Sequence, residues 1–155
     1  MLLTGAFHRS LDEKLRVAVP KRLRDALKCP VGGGLFVAPG TDATLTIYSE
    51  EAFARLAERL AAASPAEQEV RAFRRLFYGQ AQWAELDRQG RVRIPPELVE
   101  LARLEKEVVL LGVGDQLELW SAARWQAYVV EKQARYDEIA EAAFGGPRRR
   151  GPDGP

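Results

Sequence analysis

The chain has 155 residues, 46% of them apolar and 29% charged, with a net charge of +1, one His and one Cys. A chain of this length buries roughly 70% of the surface its unfolded form exposes, so one domain's worth of core needs no disulfide or structural metal. Cys29 alone excludes intramolecular disulfides and multi-Cys zinc patterns, and His8 alone excludes a His-rich metal site. The apolar runs near the start are too short for a signal-peptide core or a membrane span, which points to a cytoplasmic protein.

The charge is unevenly distributed. The first thirty residues hold seven basic residues (Arg9, Lys14, Arg16, Lys21, Arg22, Arg24, Lys28) against three acidic, a local +4. From Glu85 to Glu107 five basic residues face six acidic ones, a local −1.

The chain also repeats itself. Leu11-Asp12-Glu13-Lys14-Leu15-Arg16-Val17-Ala18-Val19-Pro20 is echoed 75 residues later by Leu86-Asp87-Arg88-Gln89-Gly90-Arg91-Val92-Arg93-Ile94-Pro95. In each copy the alternation predicts a half-buried strand, with Val17, Val19, Val92 and Ile94 inward and Arg16, Ala18, Arg91 and Arg93 outward. The Pro then opens a short helix, carrying Leu23, Ala26 and Leu27 in the first copy and Leu98, Leu101 and Ala102 in the second. Apolar strands follow over 35–38 and 44–48, and over 108–113 and 116–120. Pro39-Gly40-Thr41-Asp42 and Gly114-Asp115 join them as hairpin turns.

Ser49 and Ser121 offer N-caps after each hairpin. The first long helix is expected over 50–62, broken at Ser64-Pro65 and resuming to about Phe77, with Phe73, Leu76 and Phe77 toward the core; the second runs as one piece over 122–144. Residues 145–155, rich in Gly and Pro with Arg148, Arg149 and Arg150, read as a disordered tail. Trp83, Trp120 and Trp125 read as core or interface anchors, and His8 as a strand residue.

Asp-x-x-x-Arg-[Val/Leu]-x-[Val/Ile]-Pro, occurring twice, resembles the MraZ family, whose halves each look like an AbrB-type swapped-hairpin unit. Arg71 to Gly79, Leu104 to Gly112 and Leu117 to Ser121 support the match. The resemblance implies an α+β fold in which two tandem units form a pseudo-dimeric small β-barrel with flanking helices. The units would span 1–53 and 81–125, with connecting helices over 54–80 and a C-terminal helix over 126–144. It further implies a bacterial transcriptional regulator, a repressor of its own division and cell-wall gene cluster. Such a regulator binds repeated short boxes of double-stranded DNA as a ring-like homo-oligomer on the nucleoid, with no cofactor, membrane or small-molecule substrate.

Asp12 and Asp87 read as loop-orienting residues, because an Asp accepts hydrogen bonds from backbone N–H groups two residues on and pairs with a nearby Arg. Arg16 and Lys14 in the first copy, Arg91 and Arg88 in the second, and Arg22 in the short helix are the candidate DNA-binding residues. The alternative is that the Asp–Arg pairs only hold the hairpins together. Arg91, in acidic surroundings, could serve DNA contact or subunit packing. Members of the family usually have Gly where this chain has Leu15, so the first turn is either more extended or strained. A non-DNA interaction module stays open as a second function. An enzyme is disfavoured: there is no Gly-rich phosphate loop, and Cys29 beside Lys28, whose neighbour could lower its pKa, lacks a convincing base.

Overall fold

The computed structural model describes residues 2–145, which fall into two compact units dividing between Ala123 and Arg124. The tail expected over 145–155 lies, after Gly145, outside the described residues.

The repeat is visible as architecture. In the first half, β1 (Ala6–Ser10) and β2 (Arg16–Ala18) precede α1 (Lys21–Leu27), the hairpin β3 (Gly34–Pro39) and β4 (Leu45–Ser49), and the helices α2 (Glu50–Ala62) and α3 (Gln68–Gln80). The second half repeats the order with β5 (Gln82–Glu85), β6 (Arg91–Arg93), α4 (Pro96–Leu101), β7 (Glu107–Gly112) and β8 (Leu117–Ser121). It continues into α5 (Ala122–Gln133) and α6 (Tyr136–Gly145).

The halves exchange strands. The six-stranded sheet runs β1-β7-β8-β4-β3-β5, so β1 of the first half pairs with β7 of the second, and β5 of the second pairs with β3 of the first. A pseudo-two-fold axis passes between β4 and β8. It also relates β2 and β6, which form a two-stranded antiparallel ribbon centred on the Val17–Val92 pair. Two equivalent bonds extend the ribbon: Val19 N–H donates to the Gly90 carbonyl (2.9 Å), and Ile94 N–H to the Leu15 carbonyl (2.8 Å).

The hydrogen-bonded ladders form an open sheet and a separate ribbon rather than one closed sheet. β2 and β6, three residues each, bond to one another and leave β1 and β5 as the edges of an open sheet. A single bridge between Leu86 and Val92 links the segments around the second turn.

The core lies between this sheet and the ribbon with α1 and α4. Val17, Val19, Val92 and Ile94 are buried there, as are Leu23, Leu27, Leu98 and Ala102, while Leu101 is exposed, contrary to the helical spacing. Each fully buried aliphatic side chain contributes roughly 1.5–3 kcal/mol. A second apolar cluster packs α2 and α3 on the outer face of β3 and β4, around Tyr48, Phe77 and Phe53. β4 is covered on both faces and buried along its whole length. Ser49 caps α2 by accepting the Ala52 N–H (3.1 Å).

Two further expectations differ, and of its two expected places Trp83 does not take the core one. Phe73 and Leu76 are 49% and 63% exposed, because the sheet face available to α3 is filled by Phe77 and the ring of Phe53. Trp83 is half exposed on edge strand β5. It lies over Gly34, where any Cβ would collide with the indole, and donates its Nε1–H to Glu50 (2.9 Å). The C-terminal helix is two helices: Arg135 N–H donates to the Lys132 carbonyl (2.9 Å), a tightened turn that ends α5 before α6 begins.

Candidate nucleic-acid interface

Both Asp-bearing turns are built alike. Asp12 N–H donates to the Arg16 carbonyl (3.1 Å) and Leu15 N–H to the Asp12 carbonyl (2.9 Å); the counterparts are Asp87 to Arg91 (2.9 Å) and Gly90 to Asp87 (3.0 Å). Each is a three-residue hairpin loop whose last residue must be left-handed. Gly90 meets that demand at φ 75°, and Leu15 meets it at φ 60°, so the first turn takes the strained alternative.

The carboxylates organise the loops. Asp12 Oδ1 accepts the N–H groups of Lys14 and Arg16 (both 2.9 Å), and Oδ2 accepts the Arg16 Nε–H (2.7 Å). Asp87 Oδ1 accepts Gln89 and Arg91 N–H (both 2.9 Å), and Oδ2 accepts the Arg91 Nε–H (3.0 Å). The Arg16 backbone N–H, aided by its guanidinium and the Lys14 N–H, holds the Asp12 carboxyl below the ordinary range despite some desolvation. Burial alone would raise Asp87, but the Arg91 N–H, the Arg91 guanidinium and the Gln89 N–H outweigh it and hold that carboxyl low as well.

These bonds fix the arginines. Arg16 and Arg91 leave the same face of the ribbon with side chains 28% and 27% exposed, and Arg91 Nη1 also approaches Asp12 Oδ2 at 3.7 Å, so the two turns are tied across the halves. Lys14 and Arg88 project exposed from the turn tips and form no ion pair among the described residues. Arg22, on α1, lies away from both tips in its bonding: its Nη2 donates to the Thr4 carbonyl (3.1 Å) and its guanidinium sits 5.5 Å from the Phe7 ring centroid.

Arg16 and Arg91 also line one cleft of about 690 Å³, together with Arg88, Arg93 and Trp83 and with the carboxylates of Glu85, Asp87 and Glu97. Arg93 was legible in the sequence as an outward strand residue, yet the acidic total of its stretch gave no sign that it would meet Arg16. That register is set by the pairing of β2 with β6.

Other polar side chains belong to other segments of the fold. His8 is an exposed residue of β1. Arg71 donates to the carbonyls of Pro65 and Ala66 (2.9 and 2.8 Å), closing the turn before α3. The Cys29 thiol is pushed up by burial and by Glu50, opposite to a lowering by Lys28. Among the described residues no group of three His, Cys, Asp or Glu side chains could hold a metal, and no helix is long and apolar enough to cross a membrane.

Fold and site together define a tandem, internally strand-exchanged α+β protein with Asp-braced arginines on a central ribbon. The family model described as "MraZ protein, putative antitoxin-like" matches residues 2–76 and again 77–146, one match per half. Similar proteins include the transcriptional regulator MraZ of Moorella thermoacetica, 36% identical over 90% of this chain and 95% of the relative. Those of Heliobacterium modesticaldum and Carboxydothermus hydrogenoformans are each 39% identical, with the same coverage. Among solved structures, the solution structure of PHS018 from Pyrococcus horikoshii covers 74% of this chain and 94% of its own, at 14% identity and a TM-score of 0.36. The chain belongs to the MraZ family.

Proposed function

We propose that this protein is a sequence-specific, DNA-binding transcriptional regulator that acts through the β2–β6 ribbon and the two Asp-braced turns. The observation that carries the reading is the pair of arginines, Arg16 and Arg91, held by Asp12 and Asp87 on one face of a ribbon formed jointly by both halves. An Arg oriented through Nε keeps terminal nitrogens for phosphate or for the two acceptors of a guanine edge. Lys14 and Arg88 at the tips add phosphate contacts. Family membership and the names of the relatives support the same function.

The finer reading includes repression of its own division and cell-wall promoter through repeated boxes, residence on the nucleoid, and assembly into a ring. Tethered subunits would strengthen weak individual contacts with repeated boxes, and the exposed Phe73 and Leu76 supply apolar surface for association. The ribbon and sheet would complete a pseudo-dimeric barrel by packing rather than by a continuous ladder. The division into hairpin units 1–53 and 81–125 with helices over 54–80 and 126–144 is part of this reading.

The test is binding of wild type and Arg16→Ala to the protein's own upstream promoter DNA across a salt series, with oligomer mass followed in parallel. Tight, salt-dependent binding lost in the assembled variant is the expected result. An intact oligomer with no preference over a scrambled duplex would transfer the function to a protein-interaction module.

A further inference from the structure

The two halves differ at one outward position of the ribbon. Ala18 in the first half and Arg93 in the second stand 75 residues apart in the repeat, and both are exposed. Antiparallel register sets Arg93 opposite Arg16 and Ala18 opposite Arg91, so arginine fills three of the four outward places.

The three arginines are not equivalent. Arg16 is bound to Asp12 at 2.7 Å, and Arg91 to Asp87 at 3.0 Å with Asp12 beyond it at 3.7 Å. Arg93 has no hydrogen bond or ion pair among the described residues, although it sits directly across the ladder from another guanidinium. Like charges opposed on an antiparallel pair destabilise it. Glu85, Asp87 and Glu97 line the same cleft, but among the described residues none of them pairs with Arg93, and a surface that keeps two guanidinium groups opposed is complementary to a polyanion.

Shape agrees with charge. Two strands lie about 4.8 Å apart, and a two-stranded ribbon fits a major groove about 12 Å wide. Resting on the regulator reading above, we propose that Arg93 contacts the DNA backbone directly, so that the ribbon engages the duplex unequally, with two arginines from the second half and one from the first. Arg93 is then the member of the face whose guanidinium no carboxylate among the described residues holds. Arg16 and Arg91 are positioned by their carboxylates, and Arg93 by strand register alone.

The experiment uses the full chain and a duplex of its own upstream promoter, titrated between about 50 and 200 mM salt, with oligomer mass and thermal melting measured for each variant. Arg93→Ala, which installs the residue of the first half, is expected to weaken binding about fivefold or more and to lower the slope of log affinity against log salt by about one. Its melting temperature should be unchanged or raised, because the repulsion with Arg16 is removed. Arg93→Gln, keeping a polar hydrogen-bonding side chain and losing the charge, should show the same loss, and Ala18→Arg should strengthen binding. If Arg93→Ala binds as wild type with an unchanged salt slope while Arg16→Ala has lost binding, this inference is overturned and the regulator reading stands. If wild type itself does not prefer the promoter duplex, both fall. A loss accompanied by altered oligomer mass assigns Arg93 to subunit contact and also overturns the inference.

Discussion

Leu15, at φ 60°, occupies the same left-handed backbone region as Gly90, its counterpart in the repeat, at φ 75°. Each accepts the matching ribbon hydrogen bond, Leu15 from Ile94 and Gly90 from Val19. The geometry is therefore demanded by the ribbon rather than chosen by the residue, and the first turn bears a strain of about 1 kcal/mol that the second avoids.

Gly90 should consequently resist replacement more than Leu15 does. A Cβ at Gly90 would lie 2.7 Å from the Arg24 guanidinium carbon, and Arg24 is itself anchored by donating Nε–H to the Val19 carbonyl (3.0 Å). Gly90→Ala is expected to cost about 1–2 kcal/mol in denaturant unfolding. Leu15→Gly should stay within about 1 kcal/mol of wild type, since relieved strain opposes lost side-chain packing and added chain freedom. Equal costs at the two positions would contradict the account.

Asp12→Ala removes the acceptor of two backbone N–H groups and the partner of Arg16 at once. The turn should loosen while the sheet, held by separate ladders, stays folded. Promoter affinity should fall by about tenfold, the equivalent of one well-placed contact, less than the complete loss of specificity expected for Arg16→Ala. Unchanged affinity in the folded variant would show that Arg16 needs no brace.

Both turn carboxyls are held low in the folded state. A carboxyl of depressed pKa contributes stability that is fully present above its unfolded value, about 3.9, and is lost as pH falls through its lower folded value. Thermal melts of wild type should thus be flat in this respect above about pH 5 and decline below about pH 4. The Asp12→Asn, Asp87→Asn double variant should start less stable and decline less steeply. Parallel acid profiles would remove the turns as acid-sensitive elements.

Ser49 satisfies an N–H of the first turn of α2 from a buried position. Ser49→Ala should destabilise the protein by about 1 kcal/mol, read as a shift of the denaturation midpoint with unchanged slope. Promoter affinity should not move, because the cap lies on the helix side of the sheet.

Much of this was legible in the residues. Alternation over Arg16–Val19 and Arg91–Ile94 placed the valines inward, Pro20 and Pro95 marked the helix starts, and Ser49 marked the α2 cap, because each signal is local and repeats with the period of its own element. Leu15 was legible as a departure, although only the turn's bonding shows that it adopts the left-handed region. Phe73 and Leu76 were not legible as exposed: apolar character tells what a residue would gain from burial, not whether a surface is left to cover it.

The sequence by itself determined that two copies of one unit are present, which residues of each turn its carboxylates hold, and to which family the chain belongs. Tertiary structure alone decided that the halves exchange β1 and β5, that the sheet stays open, and that Arg93 stands against Arg16. The physical reason is range. Turns and caps are closed by hydrogen bonds between residues within a few positions of one another, so their chemistry is written in short words. Strand exchange joins residues some hundred positions apart, as in Phe7 with Leu110, and is settled only by which arrangement of the whole chain buries both halves' apolar faces at once.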